Sequence, residues 1–212
     1  MVNEKLAKDF SEYMKKFPEL YDYLADLVKK NIPKSVKKPV IIDLGCGPGL
    51  LANSIFNDFK SAKIIGVDPS SKMLKEAQIN NKELDFEPRL GSSDKIPASN
   101  KSVDLVVSRF SLTYWKKPKK SFSEIYRVLK PKRKIVLEFL NKDFPNYKLS
   151  YILFRMKFKS KDSGVVRYHK DSYKTAYSIS SVKKLLIDSG FKIIYEEGQK
   201  KDWKYIFVAE KK

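Results

Sequence analysis

Cysteine and histidine are nearly absent from this chain, which has one of each among its 212 residues. One cysteine cannot form an intramolecular disulfide, and one cysteine with one histidine cannot supply a cysteine- or histidine-based metal centre. The sequence also lacks an apolar stretch of the roughly 18 residues that a membrane-spanning helix needs, and it shows no signal-peptide pattern. We therefore expect a cytoplasmic protein without a bound metal ion.

Acidic residues are scarce relative to basic ones, with 25 Asp and Glu against 44 Lys and Arg and a net charge of +19. The surplus is uneven along the chain. Residues 40–114 have nine basic and nine acidic side chains, whereas residues 115–174 have 18 basic and five acidic ones, a surplus of +13. This stretch is either a solvated lysine-rich surface or a patch for an anionic partner, such as nucleic acid, a phosphorylated small molecule or an acidic membrane surface.

The length suits a single domain, residues 1–212, with a core of ordinary size. Apolar residues recur at spacings of three and four from Leu6 to Leu27. This periodicity predicts one or two helices in an N-terminal segment, residues 1–38, with a break at Pro18.

Strand-like and helix-like segments alternate from residue 40 to residue 140, which is typical of a mostly parallel sheet with helices on both faces. Pro131-Lys132 is expected to turn the chain into the fifth strand. Two further strand-like segments, residues 191–197 and 203–210, are separated by only five residues. A connector of this length is too short for a helical crossover, so the pair must form an antiparallel hairpin.

The most informative motif is a glycine-rich turn, because residues 40–50 read Val-Ile-Ile-Asp-Leu-Gly-Cys-Gly-Pro-Gly-Leu. A buried strand containing Asp43, a glycine loop and a helix from Leu50 form a nucleotide-binding unit. The glycines fall as G-x-G-x-G rather than the G-x-G-x-x-G of dinucleotide sites, and the Gly-Lys-Ser/Thr ending of a Walker loop is missing. The loop therefore suits a ligand that has no phosphates and places a small polar group near a carboxylate.

A second acid follows at the expected distance, because the next strand-like segment ends at Asp68. An acid about 20 residues after a glycine loop suits two ribose hydroxyls, since one carboxylate accepts both hydrogen bonds. The alternative is that Asp68 caps the helix that follows.

These motifs resemble class I S-adenosylmethionine (SAM) methyltransferases, in the branch that includes the ubiquinone/menaquinone-biosynthesis C-methyltransferases. The resemblance covers about residues 38–140 and 178–210. It rests on Asp-Leu-Gly-Cys-Gly-Pro-Gly and Gly-Val-Asp, and on the later segments Val-Asp-Leu-Val-Val-Ser and Glu-Ile-Tyr-Arg-Val-Leu-Lys-Pro. It implies an α/β, Rossmann-like, mostly parallel seven-stranded sheet that ends in an antiparallel hairpin.

The resemblance also implies a cofactor, SAM, and a product, S-adenosylhomocysteine. In the family, the acid at Asp43 and the loop amides hold the methionine end, Asp68 holds the ribose and Met73 packs on the adenine. The implied cofactor-binding residues are Asp43, Gly45, Cys46, Gly47, Gly49, Asp68, Pro69, Met73, Ser92, Ser93, Asp94 and Ser108.

Two departures from the family pattern affect the site. Ser92 stands where the family has the acid near the adenine amino group, so either Ser92 accepts that hydrogen bond or Asp94, two residues on, reaches in. Thr113 and Tyr114 stand where a His-His pair is frequent, so no imidazole base is expected there. The remaining candidates for catalytic residues, which would orient or deprotonate the acceptor, are Tyr114, Arg109 and His169.

Residues 140–178 take the place of a simple connection and are expected to form a substrate lid. Five aromatic residues there follow one predicted helix face, and four basic residues flank them. The aromatic residues are Phe144, Tyr147, Tyr151, Phe154 and Phe158, and the basic ones are Lys148, Arg155, Lys157 and Lys159. This face either docks on the core, covers a flat or apolar substrate, or contacts a membrane or RNA.

The leading hypothesis is a SAM-dependent methyltransferase that acts on an aromatic, isoprenoid or anionic small molecule. One alternative is an RNA methyltransferase that uses the basic stretch at residues 115–174, although the Asn/Asp-Pro-Pro-Tyr/Phe motif of amino-group nucleic-acid methyltransferases is missing after strand four. The other alternative is a SAM-binding protein without catalysis. The acceptor atom and the oligomeric state stay open at this stage.

Overall fold

The protein is described here by a computed structural model, which covers residues 3–159 and 170–212. Seven strands form one sheet. They are β1 (Val40–Leu44), β2 (Lys63–Asp68), β3 (Phe86–Leu90), β4 (Val103–Arg109), β5 (Leu129–Leu140), β6 (Phe191–Glu197) and β7 (Lys204–Lys211).

Helices flank the sheet and precede it. They are α1 (Glu4–Met14), α2 (Glu19–Lys30), α3 (Leu50–Asp58), α4 (Ser71–Asn80), α5 (Pro118–Val128), α6 (Asn146–Lys159) and α7 (Ile179–Asp188). A short 3₁₀ helix spans Leu112–Tyr114, and residues 170–174 are helical. The break that Pro18 was expected to cause is confirmed, since α1 and α2 are separate helices.

The strand order in the sheet is β3-β2-β1-β4-β5-β7-β6. The first five of these strands are parallel, while β7 runs antiparallel to both β5 and β6. The predicted mostly parallel sheet with a C-terminal antiparallel hairpin is therefore confirmed. Gly190 ends the turn after α7 with a φ of +90°, a conformation that glycine adopts at little cost.

The core has two layers because successive strand residues point to opposite faces of the sheet. Ile42 and Val106 belong to the layer that α5 and α7 cover. Ile41 and Leu105, their neighbours in the same strands, belong to the layer that α2 and α3 cover. The sheet is thus buried on both faces, and its carboxyl edge is where a ligand can enter.

The fifth strand differs from its prediction. It begins at Leu129, and the expected turn at Pro131-Lys132 lies inside it. Lys132 has a φ of +56°, and the pairing register with β4 shifts between Val103 and Leu105. The proline and the positive φ therefore produce an irregularity within the strand instead of a turn before it.

The N-terminal helices pack beside the carboxyl edge of the sheet. Asn80 at the end of α4 donates a hydrogen bond to Ser11 Oγ of α1 over 3.0 Å, and Lys72 of α4 pairs with Glu4 over 2.9 Å. Within residues 3–159 and 170–212, no helix is both long and apolar enough to cross a membrane.

Candidate functional site

A cavity of about 1010 Å³ lies at the carboxyl ends of β1, β2 and β4. Its volume is at the upper end of the range for small-molecule sites, so it has room for a cofactor together with a second ligand. Its walls come from the glycine loop, from the turns after β2 and β3, from α1 and α2, and from the segment that follows β5.

The glycine loop forms one wall of the cavity with an unusual backbone. Gly45, Gly47 and Gly49 have φ angles of +76°, +52° and +73°, which L side chains rarely adopt. A Cβ on Gly45 would also lie 2.3 Å from Ser111 Cβ, whereas a Cβ on Gly47 would meet nothing within 4 Å. The loop therefore packs tightly against Ser111 at Gly45, whereas the space beside Gly47 is free.

Asp68 connects this loop to the end of β2. Its Oδ2 accepts a hydrogen bond from the Gly47 amide over 3.0 Å, and its Oδ1 accepts one from the Ser70 amide over 2.9 Å. Burial raises the pKa of Asp68, and the two amides partly offset that rise. The N-cap of α4 is Ser70, whose hydroxyl accepts from the Met73 amide, so the capping role considered for Asp68 belongs to Ser70.

Asp43 is the most unusual polar residue of the cavity. Its side chain is buried, and Oδ2 has no hydrogen-bond partner in the part of the chain that the structure describes. Burial raises the pKa of Asp43 to about 7, with a further contribution from the charge of Asp68, and Arg109 opposes the rise. A buried carboxyl oxygen without a partner is costly, which fits a group that awaits a donor from a ligand.

The turn after β3 brings the two alternatives for adenine recognition into contact. Ser92 Oγ donates a hydrogen bond to Asp94 Oδ1 over 2.8 Å, and both residues line the cavity. This hydrogen bond lowers the pKa of Asp94. Met73 is buried and lines the same end of the cavity, as do Pro69 and Ser93.

Arg109, at the end of β4, is held on three sides. Its Nε lies 2.8 Å from Glu138 Oε2 in a buried ion pair, and its guanidinium lies 4.6 Å from the centre of the Tyr21 ring and 4.3 Å from that of Phe110. The other oxygen of Glu138 accepts from Lys204 Nζ over 2.6 Å. Arg109 lines the cavity.

The remaining two catalytic candidates have different outcomes. Tyr114 lines the cavity, is about half exposed and shares a hydrogen bond between its hydroxyl and Ser172 Oγ. The neighbouring Thr113 donates to the Ser172 carbonyl oxygen and contacts the Thr175 hydroxyl over 2.6 Å. His169 lies outside the described residues, so its role stays a prediction.

Two of the predicted cofactor residues do not line the cavity. Gly49 is the N-cap of α3, where its carbonyl accepts from Asn81. Ser108 is fully buried and shares a hydrogen bond of 2.6 Å with Ser111. Its neighbour Arg109 faces the cavity, and strand alternation turns Ser108 the other way. The other predicted cofactor residues, Gly45, Cys46 and Gly47 among them, line the cavity.

Sequence patterns did not predict that the N-terminal helices form a wall of the site. Their periodic apolar face lines the cavity together with aromatic residues from distant segments. The members are Leu6, Phe10, Tyr13, Met14, Phe17, Leu20 and Tyr21 from the N-terminal segment, and Phe110, Trp115, Tyr173 and Trp203 from the rest of the chain. The signal was present as helical spacing, but spacing alone does not distinguish a core face from a ligand wall.

The segment after β5 borders the cavity with an aliphatic face. Leu149 and Ile152 of α6 line it, whereas the aromatic residues Tyr147, Tyr151 and Phe154 are 73%, 61% and 59% exposed. The interpretation that the aromatic stripe docks on the core is therefore wrong for these three. Phe144 precedes the helix and is buried, and the side chains of residues 157–159 lie outside the description.

Comparison with known proteins agrees with this geometry. Residues 42–137 match a protein family described as "Methyltransferase domain". The chain is 28% identical over 118 residues to malonyl-[acyl-carrier protein] O-methyltransferase of Hahella chejuensis. The matched segment is 56% of this chain but only 40% of that protein. It is 29% identical over 215 residues to demethylmenaquinone methyltransferase of Lactobacillus johnsonii, covering 91% of this chain and 88% of that one.

Among solved structures, a SAM-dependent methyltransferase from Aquifex aeolicus superposes with a TM-score of 0.72 at 19% identity, over 99% of both chains. The sheet order, the glycine loop and the acid after β2 are those of the Rossmann-like methyltransferase fold, whose cofactor is SAM. The matched residues 42–137 supply the glycine loop and the sheet edge of the cavity, and α1, α2 and α6 add further walls.

Proposed function

We propose that this protein transfers the methyl group of SAM to a small apolar acceptor. The observation that supports this proposal is the aromatic and aliphatic wall that α1, α2 and α6 contribute to the cavity. Apolar walls with a few polar groups are typical of sites for small organic ligands. The whole chain, residues 1–212, would act as one domain, with residues 1–38 and 140–178 enclosing the acceptor.

The polar half of the cavity fits the cofactor. The partnerless oxygen of Asp43 suits the ammonium of the methionine moiety. Each oxygen of Asp68 accepts one backbone hydrogen bond and keeps a second lone pair for a ribose hydroxyl. Met73 would pack on the adenine, and Ser92 or Asp94 would contact its edge.

SAM supplies an activated methyl group on a sulfonium, so the protein's residues mainly align the acceptor and exclude water. Leu149 and Ile152, which line the cavity, would help to keep water out of it. Tyr114 would orient the acceptor from the edge of the sheet, because its hydroxyl is already fixed by Ser172.

RNA is the second candidate acceptor, and a groove rich in lysine favours it. The groove lies between α5 and α7 beside the mouth of the cavity, and we call its basic residues the lysine rim. The lysine rim consists of Lys117, Lys119, Lys120 and Lys184, of which Lys117 also lines the cavity. Such a surface suits a phosphate backbone, but it does not by itself explain an aromatic cavity.

The test combines transfer of isotope-labelled methyl from SAM with a panel of phenols, quinols, isoprenoids and bulk RNA. We expect labelling of an apolar small molecule, and Phe17→Ala should reduce that turnover at least about tenfold by removing a wall of the cavity. Ile187→Ala is the matched control, because Ile187 is exposed and distant from the cavity lining.

Three outcomes separate the hypotheses. Labelling of RNA that is lost when the lysine rim is changed to glutamine, and unaffected by Phe17→Ala, would support the RNA alternative. Binding of S-adenosylhomocysteine without labelling of any acceptor in the panel would favour a SAM-binding protein without catalysis. Absence of S-adenosylhomocysteine binding in calorimetry would contradict the proposed function as a whole.

A further inference from the structure

Helix α6 has apolar side chains on two opposite faces. Each residue turns an α-helix by about 100°, so Leu149 and Ile152 share one face, and that face lines the cavity. Tyr147, Tyr151 and Phe154 share a second face, roughly 160° around the helix from the first. We call these three residues the aromatic face.

The aromatic face is exposed although its side chains are large. Each of the three exposes more than half of its surface. Their positions are four and three residues apart, so the side chains adjoin one another along the helix. Single exposed apolar side chains are ordinary on a protein, whereas an adjoining group marks a contact with something outside the molecule.

We propose that the aromatic face of α6 binds the surface of a lipid bilayer that contains anionic lipids. Tyr and Phe suit the boundary between headgroups and acyl chains, where the ring is immersed and a Tyr hydroxyl reaches water. The proposal goes beyond the proposed function, because attachment to a bilayer needs neither SAM nor an acceptor.

The charge of α6 complements an anionic bilayer. Residues 146–159 include four basic residues and no acidic one. Arg155 is exposed beside the aromatic face, with its guanidinium 5.9 Å from the centre of the Tyr151 ring. Lys148 is half-buried and seven residues earlier, so it lies on the same flank. Aromatic anchors with basic residues on the flank are typical of helices that lie in a bilayer surface.

The position of α6 connects this surface with the cavity. Leu149 and Ile152 line the cavity from the opposite side of the same helix, and the exposed Lys116 and Lys117 also line it. A bilayer on the aromatic face would therefore lie about one helix diameter, roughly 10 Å, from the cavity wall. If the proposed function holds, an apolar acceptor dissolved in lipid would reach the cavity without crossing much water.

RNA fits the aromatic face less well than a bilayer does. Proteins that stack bases on aromatic side chains do so along a positively charged groove, whereas the aromatic face lies on the convex side of a helix. The lysine rim, which suits a phosphate backbone, lies between α5 and α7 instead of along α6.

The experiment measures flotation of the protein with vesicles made of an equal mixture of phosphatidylcholine and phosphatidylglycerol. The wild type should bind these vesicles, and more strongly than vesicles of phosphatidylcholine alone. The tyrosine variant, Tyr147→Ala with Tyr151→Ala, should bind about tenfold more weakly or less, because two anchoring rings are lost.

A second variant and a control separate charge from apolar surface. Lys148→Gln with Arg155→Gln should weaken binding about 25-fold, or about fivefold for each basic residue near an anionic surface. This variant also carries the test if the tyrosine variant does not fold. Ile187→Ala with Ile194→Ala is the matched control, because it removes two exposed apolar side chains from α7 and β6; it should bind as the wild type does.

The outcomes distinguish the possible occupants of the aromatic face. Equal vesicle binding by the wild type and the folded tyrosine variant would overturn the inference, as would a wild type that does not bind vesicles. Loss of RNA affinity in the tyrosine variant with vesicle binding unchanged would assign the face to RNA. A dimer that sedimentation shows to become a monomer in the tyrosine variant, without vesicle binding by the wild type, would assign it to a second copy of the chain.

The inference and the proposed function can fail separately. Vesicle binding by a protein that does not bind S-adenosylhomocysteine in calorimetry would overturn the proposed function and leave the inference standing. Methyl transfer by a protein that does not bind vesicles would do the reverse.

Discussion

The buried carboxyl of Asp43 should make the stability of the ligand-free protein fall as the pH rises. Its ordinary pKa is 3.8, and burial raises it to about 7 in the folded protein. Between these two pH values the folded state holds one proton more than the unfolded state. Stability decreases with pH wherever the folded state binds more protons, so the contribution of Asp43 is full below about pH 4 and is lost as the pH approaches 7.

The magnitude follows from the difference of about three pH units, at 1.36 kcal/mol for each unit, and amounts to about 4 kcal/mol. Asp43→Asn keeps the shape of the side chain and removes the titration. The free energy of unfolding of the variant minus that of the wild type should therefore increase by about 4 kcal/mol from pH 4 to pH 7.5.

Urea denaturation at several pH values measures this difference. Taking the variant minus the wild type cancels the titration of the groups that do not interact with Asp43. Asp94→Asn is the control, since Asp94 is partly exposed on the same cavity and its pKa is lowered by the hydrogen bond from Ser92, so its titration lies below this pH range. Parallel pH profiles for Asp43→Asn and the wild type would refute the reasoning.

Three further predictions concern the cofactor half of the site. Asp68→Ala removes a charged acceptor and should weaken S-adenosylhomocysteine about 10- to 150-fold in calorimetry; unchanged affinity would contradict the ribose assignment. If Asp94 has replaced the family's acid, Asp94→Ala should weaken that affinity more than Ser92→Ala, and the reverse order would assign the contact to Ser92. Gly45→Ala should lower the melting temperature more than Gly47→Ala, because only the first adds a Cβ that meets Ser111 at 2.3 Å; equal melting temperatures would contradict this.

The cofactor half of the site could be predicted from sequence because its geometry is local. Strand, glycine loop and helix lie within residues 40–58, and the positive φ angles at Gly45 and Gly47 need no distant partner to be expected. In the sequence, Asp68 is separated from the glycine loop by only one helix and one strand. Segments of this kind are fixed mainly by their own residues, so a motif and its spacing carry most of the information.

The acceptor half could not be predicted, because it is built from contacts that are distant in sequence. Helical spacing predicted α1. It did not predict that α1 packs against α4 and lines the cavity. The same limit applies to α6, whose aromatic periodicity predicted a helix face without deciding whether that face docks on the core or is exposed. Leu149 and Ile152 face the cavity, and Tyr151 is exposed. Periodicity identifies a face of a helix, whereas tertiary packing decides what that face contacts.

The net charge of the chain restricts how the cofactor can be recognised. SAM has a sulfonium, an ammonium and a carboxylate, a net charge of +1, and it approaches a protein of net charge +19. The field around such a protein repels cations and attracts anions, within a screening distance of about 8 Å at physiological salt. The exposed lysines at the mouth, Lys116 and Lys117, add to that repulsion.

Affinity for SAM therefore has to come from short-range contacts inside the cavity, where surface charge is screened and each group faces one partner. Asp43 would meet this requirement, because its carboxyl oxygen without a partner in the described residues suits the ammonium of the proposed cofactor. The same outer field would help an anionic acceptor to reach the mouth without taking part in its recognition, which the aromatic walls would provide. A positively charged exterior and an apolar cavity are thus compatible with one small acceptor that is both anionic and apolar.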